Sequence, residues 1–163
     1  MSPGKAFEPS NPVGVTLEEY AAAKQLPVNE LQALGVRTFS LNGTQAVRIP
    51  YYAADGTEAA ARHRTLLEKP DQGPDTRFRW KSGAKPCLYG RDRLSQARDH
   101  GSILLVEGES DCQTAWHQRH PAVGIPGATN WNEDRDAHEL DGIDRINVVI
   151  ECDVGGDAVL DWL

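Results

Sequence analysis

The chain has 163 residues, of which 39% are apolar, and a formal net charge of −7 at pH 7. This length and apolar content suffice for one domain or two small lobes around a core. No apolar run approaches the roughly 20 residues of a membrane-spanning helix, and the polar, proline-rich start lacks the pattern of a signal peptide. We therefore expect a soluble cytoplasmic protein with no membrane partner.

The cysteines and histidines disfavour a zinc site. The three cysteines are far apart and form no Cys-x-x-Cys pair, so we expect reduced thiols rather than a disulfide framework. Among the five histidines, His117 and His120 are three residues apart, but no third ligand stands at a familiar spacing.

The charge is unevenly distributed along the chain. Residues 62–98 contain ten basic and four acidic side chains, whereas residues 107–163 contain thirteen acids and three arginines. A basic lobe followed by an acidic one predicts a polyanion held by the first and a cation held by the second. The alternative is that both regions are solvated faces, which is the commoner meaning of charge runs.

The chain begins with residues 1–14, whose prolines and glycines predict a flexible tail. Thr16 then caps a predicted helix, and Glu19 completes a capping box. A second short helix over 28–34 is ended by Gly35, where a left-handed backbone is tolerated. Neither helix carries visible chemistry.

A basic antiparallel sheet is predicted next. Asn42-Gly43 and Asp55-Gly56 are strong hairpin signals between stretches of β-like alternation. They predict three strands, near 36–41, 45–52 and 58–67. The segment RFRWK at 77–81 predicts a further short strand within a proline-rich loop, and a helix follows near 91–99.

Three short apolar runs in the last third predict a parallel sheet. They are ILLV at 103–106, AVGI at 122–125 and INVVI at 146–150, and helical segments separate them. Continuous apolar runs are typical of parallel strands that are buried on both faces. The fold class is therefore α/β within an α+β whole, and ligands should bind at the carboxyl ends of these strands.

Acidic side chains stand at the ends of two of these strands. Glu107 ends the first strand, and Glu151 and Asp153 follow the third. Neighbouring parallel strands lie about 4.8 Å apart, so these carboxylates can share a cation. Hard oxygen ligands favour Mg²⁺ or Mn²⁺.

The residues around these acids have more than one interpretation. Asp111, one helical turn after Glu107, either assists the metal or only favours the helix dipole. Glu109 is predicted to be a solvated neighbour. Gly108 and Gly156 are predicted to let the backbone turn sharply near a ligand.

The motif VEGESD, followed by a strand and Glu-x-Asp-x-Gly-Gly, resembles the TOPRIM domain of bacterial-type primases, type IA and type II topoisomerases, and some nucleases. The resemblance implies that Glu107 is the catalytic glutamate and that Glu151 and Asp153 are the paired metal ligands. Gly127 matches the glycine after the second strand. Glu151 replaces the usual aspartate, as in phage and plasmid-type primases. The family's further acidic pair is not matched, so we expect an incomplete TOPRIM core over 101–163.

The preceding segment resembles the amino-terminal half of the DnaG-like primase polymerase domain. The resemblance rests on Ile49-Pro50-Tyr51, Asp55-Gly56 and Leu88-Tyr89-Gly90, in that order, and covers about 16–163. It implies a basic amino-terminal subdomain over 15–100 without the zinc-binding module of many such primases. The residues that it implies for holding the template and nucleotide are Arg62, Arg64, Lys81 and Lys85.

Alternation along RFRWK separates its aromatic and basic side chains. Phe78 and Trp80 share one face of the predicted strand and Arg79 and Lys81 the other. We expect the aromatic pair to pack in the core and Arg79 and Lys81 to bind nucleic acid, although Phe78 and Trp80 could also stack on a base.

The resemblance implies primer synthesis on a single-stranded DNA template from nucleoside triphosphates, with Mg²⁺ or Mn²⁺ and with a replicative helicase as a further partner. Glu107 would hold a metal or act as general base. The alternatives are a TOPRIM nuclease and a non-catalytic nucleic-acid-binding fragment of a larger primase-helicase. A topoisomerase is disfavoured because all four tyrosines are interpreted as structural.

Overall fold

The computed structural model describes residues 14–163, so the predicted flexible tail lies, apart from Gly14, outside the described residues. Helix α1 (Leu17–Lys24) begins after Thr16. The Thr16 hydroxyl accepts a hydrogen bond from the Glu19 amide, and the Glu19 carboxylate accepts one from the Thr16 amide. The predicted capping box is confirmed. Helix α2 (Val28–Ala33) ends just before Gly35, whose φ is +79°.

The first sheet has four antiparallel strands, and the predicted meander with its short final strand is confirmed. The strands are β1 (Arg37–Leu41), β2 (Thr44–Tyr52), β3 (Glu58–Arg64) and β4 (Phe78–Trp80), in that spatial order. Asn42 and Gly43 both have positive φ, +53° and +82°, as a two-residue hairpin turn requires. Strand β3 ends at Arg64 rather than near residue 67.

The two faces of this sheet differ in their surroundings. Along β2, Val47, Ile49 and Tyr51 are at most 1% exposed and pack against the helices in the main core. We call their side of the sheet the inner face. Arg48 lies between Val47 and Ile49 in the strand and therefore points to the opposite side, the outer face.

The second sheet is parallel and has the order β6-β5-β7, as predicted for an α/β unit. Its strands are β5 (Ser102–Glu107), β6 (Ala122–Ile125) and β7 (Arg145–Val148). Helix α3 (Leu94–His100) precedes β5, α4 (Glu109–His117) and α5 (Glu133–Asp136) lie between strands, and α6 (Val154–Trp162) follows β7. Strand β5 is central, so its carboxyl end lies between those of the other two.

Two expectations about this unit are wrong. Strand β7 is not buried on both faces, because three of its four residues are exposed and Ile146 is 41% exposed. The polar helix predicted after the second strand is broken: α5 has four residues, capped by Asn132, and continues as a 3₁₀ turn over Ala137–Leu140.

The two halves of the molecule are held together by buried contacts of segments that lie next to the sheets. Tyr89 and Gly124 exchange two backbone hydrogen bonds of 2.8 and 2.9 Å. The Tyr20 hydroxyl of α1 donates to Gln113 of α4 at 2.7 Å. Because these contacts are buried, the basic sheet is held in a defined position against the acidic one. Within residues 14–163, no helix is long and apolar enough to cross a membrane.

Candidate active site

An open groove of about 290 Å³ lies at the carboxyl end of β5. Glu107 is the last residue of β5, Gly127 lies two residues beyond β6, and the segment after β7 supplies two more acids. The groove thus occupies the edge where a parallel sheet binds its ligands. Its charged lining residues are Lys24, Arg62, Arg64, Arg77, Glu107, Glu109, Asp111, Glu151 and Asp153.

Two of these carboxylates converge on Gly155. A Cβ atom at Gly155 would lie 2.7 Å from Glu107 Oε2 and 3.1 Å from Asp153 Oδ1, so only glycine leaves the present space for both. Asp153 also caps α6, because its Oδ1 accepts a 3.0 Å hydrogen bond from the Gly156 amide. The first and third strands therefore bring their acids to one place.

The acids of the groove repel one another. Loss of hydration raises the pKa of Glu151, and the negative charges of Asp111, Glu107 and Asp153 raise it further. Asp111 is exposed, but its position in the concave groove also costs hydration and raises its pKa; Glu107 raises it further, whereas Lys24 opposes the rise. None of these four carboxylates forms an ion pair with a described residue.

This donor set suits a hard divalent cation. Carboxylate oxygens are the ligands that Mg²⁺ and Mn²⁺ prefer, and a cation would relieve the repulsion that raises the pKa of Glu151. Among residues 14–163, no three Asp, Glu, His or Cys side chains already stand together as a preformed metal site. Magnesium-type sites often keep several waters and use only one or two carboxylates, which is compatible with this open arrangement.

Lost hydration, with a smaller contribution from repulsion, predicts that Asp111→Asn stabilises the protein in metal-free buffer at neutral pH. The folded-state pKa of Asp111 is raised. A carboxyl group whose pKa is higher in the folded state than in the unfolded state destabilises the fold when it ionises. This destabilisation grows as pH rises from the unfolded-state pKa to the folded-state pKa, and it persists at higher pH. We expect a gain under about 1 kcal/mol, because solvent screens the groove. Denaturant unfolding at neutral pH and at pH 3 measures it; an equal gain at both pH values would contradict the electrostatic cause.

A cationic wall faces the acids across the groove. Arg62 and Arg64 come from the inner face of β3, Arg77 immediately precedes β4, and Lys24 ends α1. The Phe78 ring supports both β3 arginines, with centroid distances of 4.1 Å to the Arg62 guanidinium carbon and 4.6 Å to that of Arg64. Two of the guanidinium groups in the wall are therefore partly immobilised.

Glu109 is buried, and the expectation that it is a solvated neighbour is wrong. Its side chain is 3% exposed. It accepts hydrogen bonds from the Tyr51 hydroxyl and, at 3.0 Å, from Arg62 Nη1. A buried carboxylate needs such partners, and both come from the first sheet. A signal was present in the sequence: Glu109 precedes Cys112 and Gln113 by three and four residues, which places it on the buried side of α4.

No known protein family profile and no curated protein sequence matches the chain. Solved structures do. The primase fragment of the bacteriophage T7 primase-helicase protein superposes with a TM-score of 0.63 at 18% identity, over 86% of this chain and 56% of that one. The zinc-binding and RNA polymerase domains of Aquifex aeolicus primase give 0.68 at 14% identity, over 88% and 45%. The DnaG primase catalytic domain bound to single-stranded DNA gives 0.63 at 15%, over 93% and 59%.

The chain has the fold of DnaG-type primase catalytic domains. It spans about half the length of the primase chains that it matches. At 14–18% identity this similarity establishes the fold alone.

The predicted site residues lie in two places, the acidic groove and the exposed surface outside it. Glu107, Asp111, Glu151 and Asp153 meet Arg62 and Arg64 in the groove, where Gly108 and Gly127, with φ of +88° and +102°, form turns. Gly156 is buried at the start of α6.

Arg79, Lys81 and Lys85 are exposed and do not line the groove. Arg79 lies on the outer face, directly opposite His63. Phe78 and Trp80 are half-buried on the inner face, as alternation predicted. Strand β4 therefore contributes to two different surfaces of this primase fold.

Proposed function

We propose that the chain carries out DNA primase-type nucleotidyl transfer, the metal-dependent synthesis of primers on single-stranded DNA during replication. One observation carries the proposal: unpaired carboxylates from the ends of β5 and β7 stand across one groove from the guanidinium groups of Arg62, Arg64 and Arg77. Phosphoryl transfer needs this combination, because both the metal ions and the phosphates must be held.

Glu107, Glu151 and Asp153 would hold Mg²⁺ or Mn²⁺, with Asp111 as a helper. The ion supplies stabilisation of the charge that develops on the transferred phosphoryl group. The arginines bind and orient the triphosphate and template through phosphate contacts, which carry no base selectivity. Glu107 would otherwise take a proton from an attacking hydroxyl, and metal ligation and proton transfer are alternative roles for it.

The partners in this proposal are a single-stranded DNA template, nucleoside triphosphates and a replicative helicase. Two similar structures support the assignment: one is the primase fragment of a primase-helicase, and another is a primase domain bound to single-stranded DNA. Within the same proposal, the acidic sheet is a TOPRIM unit of the phage or plasmid type, because Glu151 stands where aspartate is usual.

The test is incubation of the protein with single-stranded template, labelled ribonucleotides and Mg²⁺ or Mn²⁺. Labelled oligomers that depend on the template support primase activity. Shortening of the template instead would establish a nuclease that uses the same groove. Binding without either product would establish a non-catalytic nucleic-acid-binding unit, and both of these results overturn the proposal.

Gly155→Ala tests the convergence of the acids. The added Cβ would lie 2.7 Å from Glu107 Oε2, so the flexible end of Glu107 has to move away. Alanine in the first turn of α6 is compatible with the helix, and we expect the free energy of unfolding to be retained. Mn²⁺ affinity, measured by electron paramagnetic resonance, should fall about tenfold. Ala158→Gly in the same helix is the control; unchanged Mn²⁺ affinity in Gly155→Ala would contradict the shared site.

A further inference from the structure

A row of basic residues crosses the outer face of the first sheet. Arg37 of β1 lies directly opposite Arg48 of β2, Arg48 lies opposite His63 of β3, and His63 lies opposite Arg79 of β4. Directly paired positions point to the same side of a sheet, so all four side chains belong to the outer face. Lys81 joins them, because its amide bonds to the carbonyl of Ala61, two residues before His63.

This row is electrostatically unfavourable in the protein alone. Like charges directly opposite one another destabilise an antiparallel pair, and Arg37 opposite Arg48 is such a pair. Only Arg48 is compensated, by an ion pair with Glu58. Arg37 and Arg79 are exposed and form no ion pair with any residue of 14–163.

His63 separates the arginines of the row. Its side chain is buried, with Phe39 of β1 and Arg48 of β2 on one side and Arg79 and Lys81 on the other. Burial lowers the pKa of His63, and the neighbouring Arg48 and Lys81 lower it further. A neutral imidazole thus limits the repulsion within the row. An anion bound beside His63 would favour protonation of the imidazole.

Aromatic surface accompanies the charges. The Phe39 ring is half-exposed, its centroid lies 5.1 Å from that of His63, and the Arg37 guanidinium carbon lies 5.7 Å from the same ring. At the end of the row, Arg79 borders an open groove of about 260 Å³ whose other polar lining residues are Asn42, Thr44, Gln45, Thr65 and Thr76. Cations beside an aromatic ring, next to a groove lined by hydroxyl and amide groups, form a surface suited to single-stranded nucleic acid.

We propose that the outer face is a second binding surface for single-stranded nucleic acid, on the opposite side of the sheet from the acidic groove. Arg37, Arg79 and Lys81 would bind phosphates, and the exposed part of Phe39 would stack on a base. That the bound polyanion is a nucleic acid rests on the proposed function. The assignment of the outer face as an anion-binding surface does not, because none of these residues lines the acidic groove.

The test is the salt dependence of binding. Fluorescence anisotropy of a labelled oligothymidylate is measured over a series of salt concentrations for the full chain and for Arg37→Gln/Arg79→Gln. Each lost phosphate contact on a single strand should reduce the slope of log affinity against log salt by about 0.7, so the double variant should lose about 1.4. Arg119→Gln/Arg145→Gln removes two exposed arginines from the acidic half and should leave the slope unchanged. Thermal unfolding verifies that both variants are folded.

An unchanged slope in Arg37→Gln/Arg79→Gln, or an equal loss in the control, would overturn the proposal. If oligoglutamate competes as effectively as unlabelled oligothymidylate, the partner of the outer face is an acidic polypeptide rather than a nucleic acid. Failure of the proposed function would appear as the absence of oligomer products from the wild-type protein. Failure of this inference would appear only in the slopes of log affinity against log salt.

Discussion

Glu107→Gln and Asp153→Asn are each expected to abolish primer synthesis while leaving the binding of single-stranded template intact. Each substitution removes one negative charge from the place where the acids of β5 and the β7 segment converge, beside Gly155. Substitution of a residue that only orients a metal ligand typically lowers activity about 10- to 100-fold. Loss of a ligand itself should therefore reduce primer synthesis by at least about a hundredfold. Both amides preserve the size of the side chain.

The measurement is the yield of labelled oligomers with Mn²⁺, together with Mn²⁺ affinity from electron paramagnetic resonance. Both variants should lose metal affinity and retain the anisotropy signal of bound template. Glu133→Gln, an exposed acid at the start of α5, is the matched control and should behave as the wild type. Undiminished synthesis by either active-site variant would refute the assignment of the groove as the catalytic centre.

The elements with local signals were predictable from the sequence. Thr16 and Glu19 are three residues apart, and Asn42-Gly43 needs no distant partner to form its turn, so the capping box and the hairpin could be located without a structure. The convergence of Glu107 and Asp153 was predictable for another reason. Parallel strands place their carboxyl ends at one edge, so topology alone brings the two acids near each other.

The features that depend on distant partners were not predictable in this way. The helical spacing of Glu109 indicates the buried side of α4. Its partners Arg62 and Tyr51, however, are 47 and 58 residues earlier, so no local signal identifies them. The apolar run around Ile146 resembles a buried strand, yet its burial depends on whether distant elements cover the faces of β7, and Ile146 is 41% exposed. Alternation separates Arg79 from Phe78 and Trp80, but the pairing of β4 with β3, which puts Arg79 on the outer face and away from the groove, has no local signal.

The burial of Glu109 links the cationic wall to the acids. Glu109 follows Glu107 by two residues, so its bond to Arg62 fixes the arginine relative to the carboxyl end of β5. Burial alone would lower the pKa of Arg62, but Glu109 and Tyr51 outweigh it and raise the pKa. Burial, and then the charge of Glu109, raise the pKa of Tyr51, so the phenol remains a hydrogen-bond donor. Glu109 therefore helps to set the position of Arg62 relative to the acids at the end of β5.

Glu109→Gln is expected to destabilise the protein by about 3 kcal/mol or more, because it leaves the buried Arg62 without its counter-ion. The side chains of Arg62 and Glu109 are 12% and 3% exposed, so water cannot replace the lost partner. Arg62→Met should destabilise the protein by a similar amount, because it leaves the buried Glu109 carboxylate without its counter-ion. The double variant should cost less than the sum, since neither charge is then buried alone. Denaturant unfolding of the four proteins gives the coupling energy.

The exposed pair of Arg77 and Asp75 provides the control. Their side chains are 30% and 35% exposed, and Asp75→Asn should cost under about 1 kcal/mol. A coupling energy near zero for Arg62 and Glu109 would contradict the proposed link between the sheets. If the link exists, Glu109→Gln should also raise the KM for nucleotide in primer synthesis under conditions where the variant is fully folded. A contact that only stabilises the fold would leave KM unchanged, whereas a displaced Arg62 would alter the arginine side of the groove.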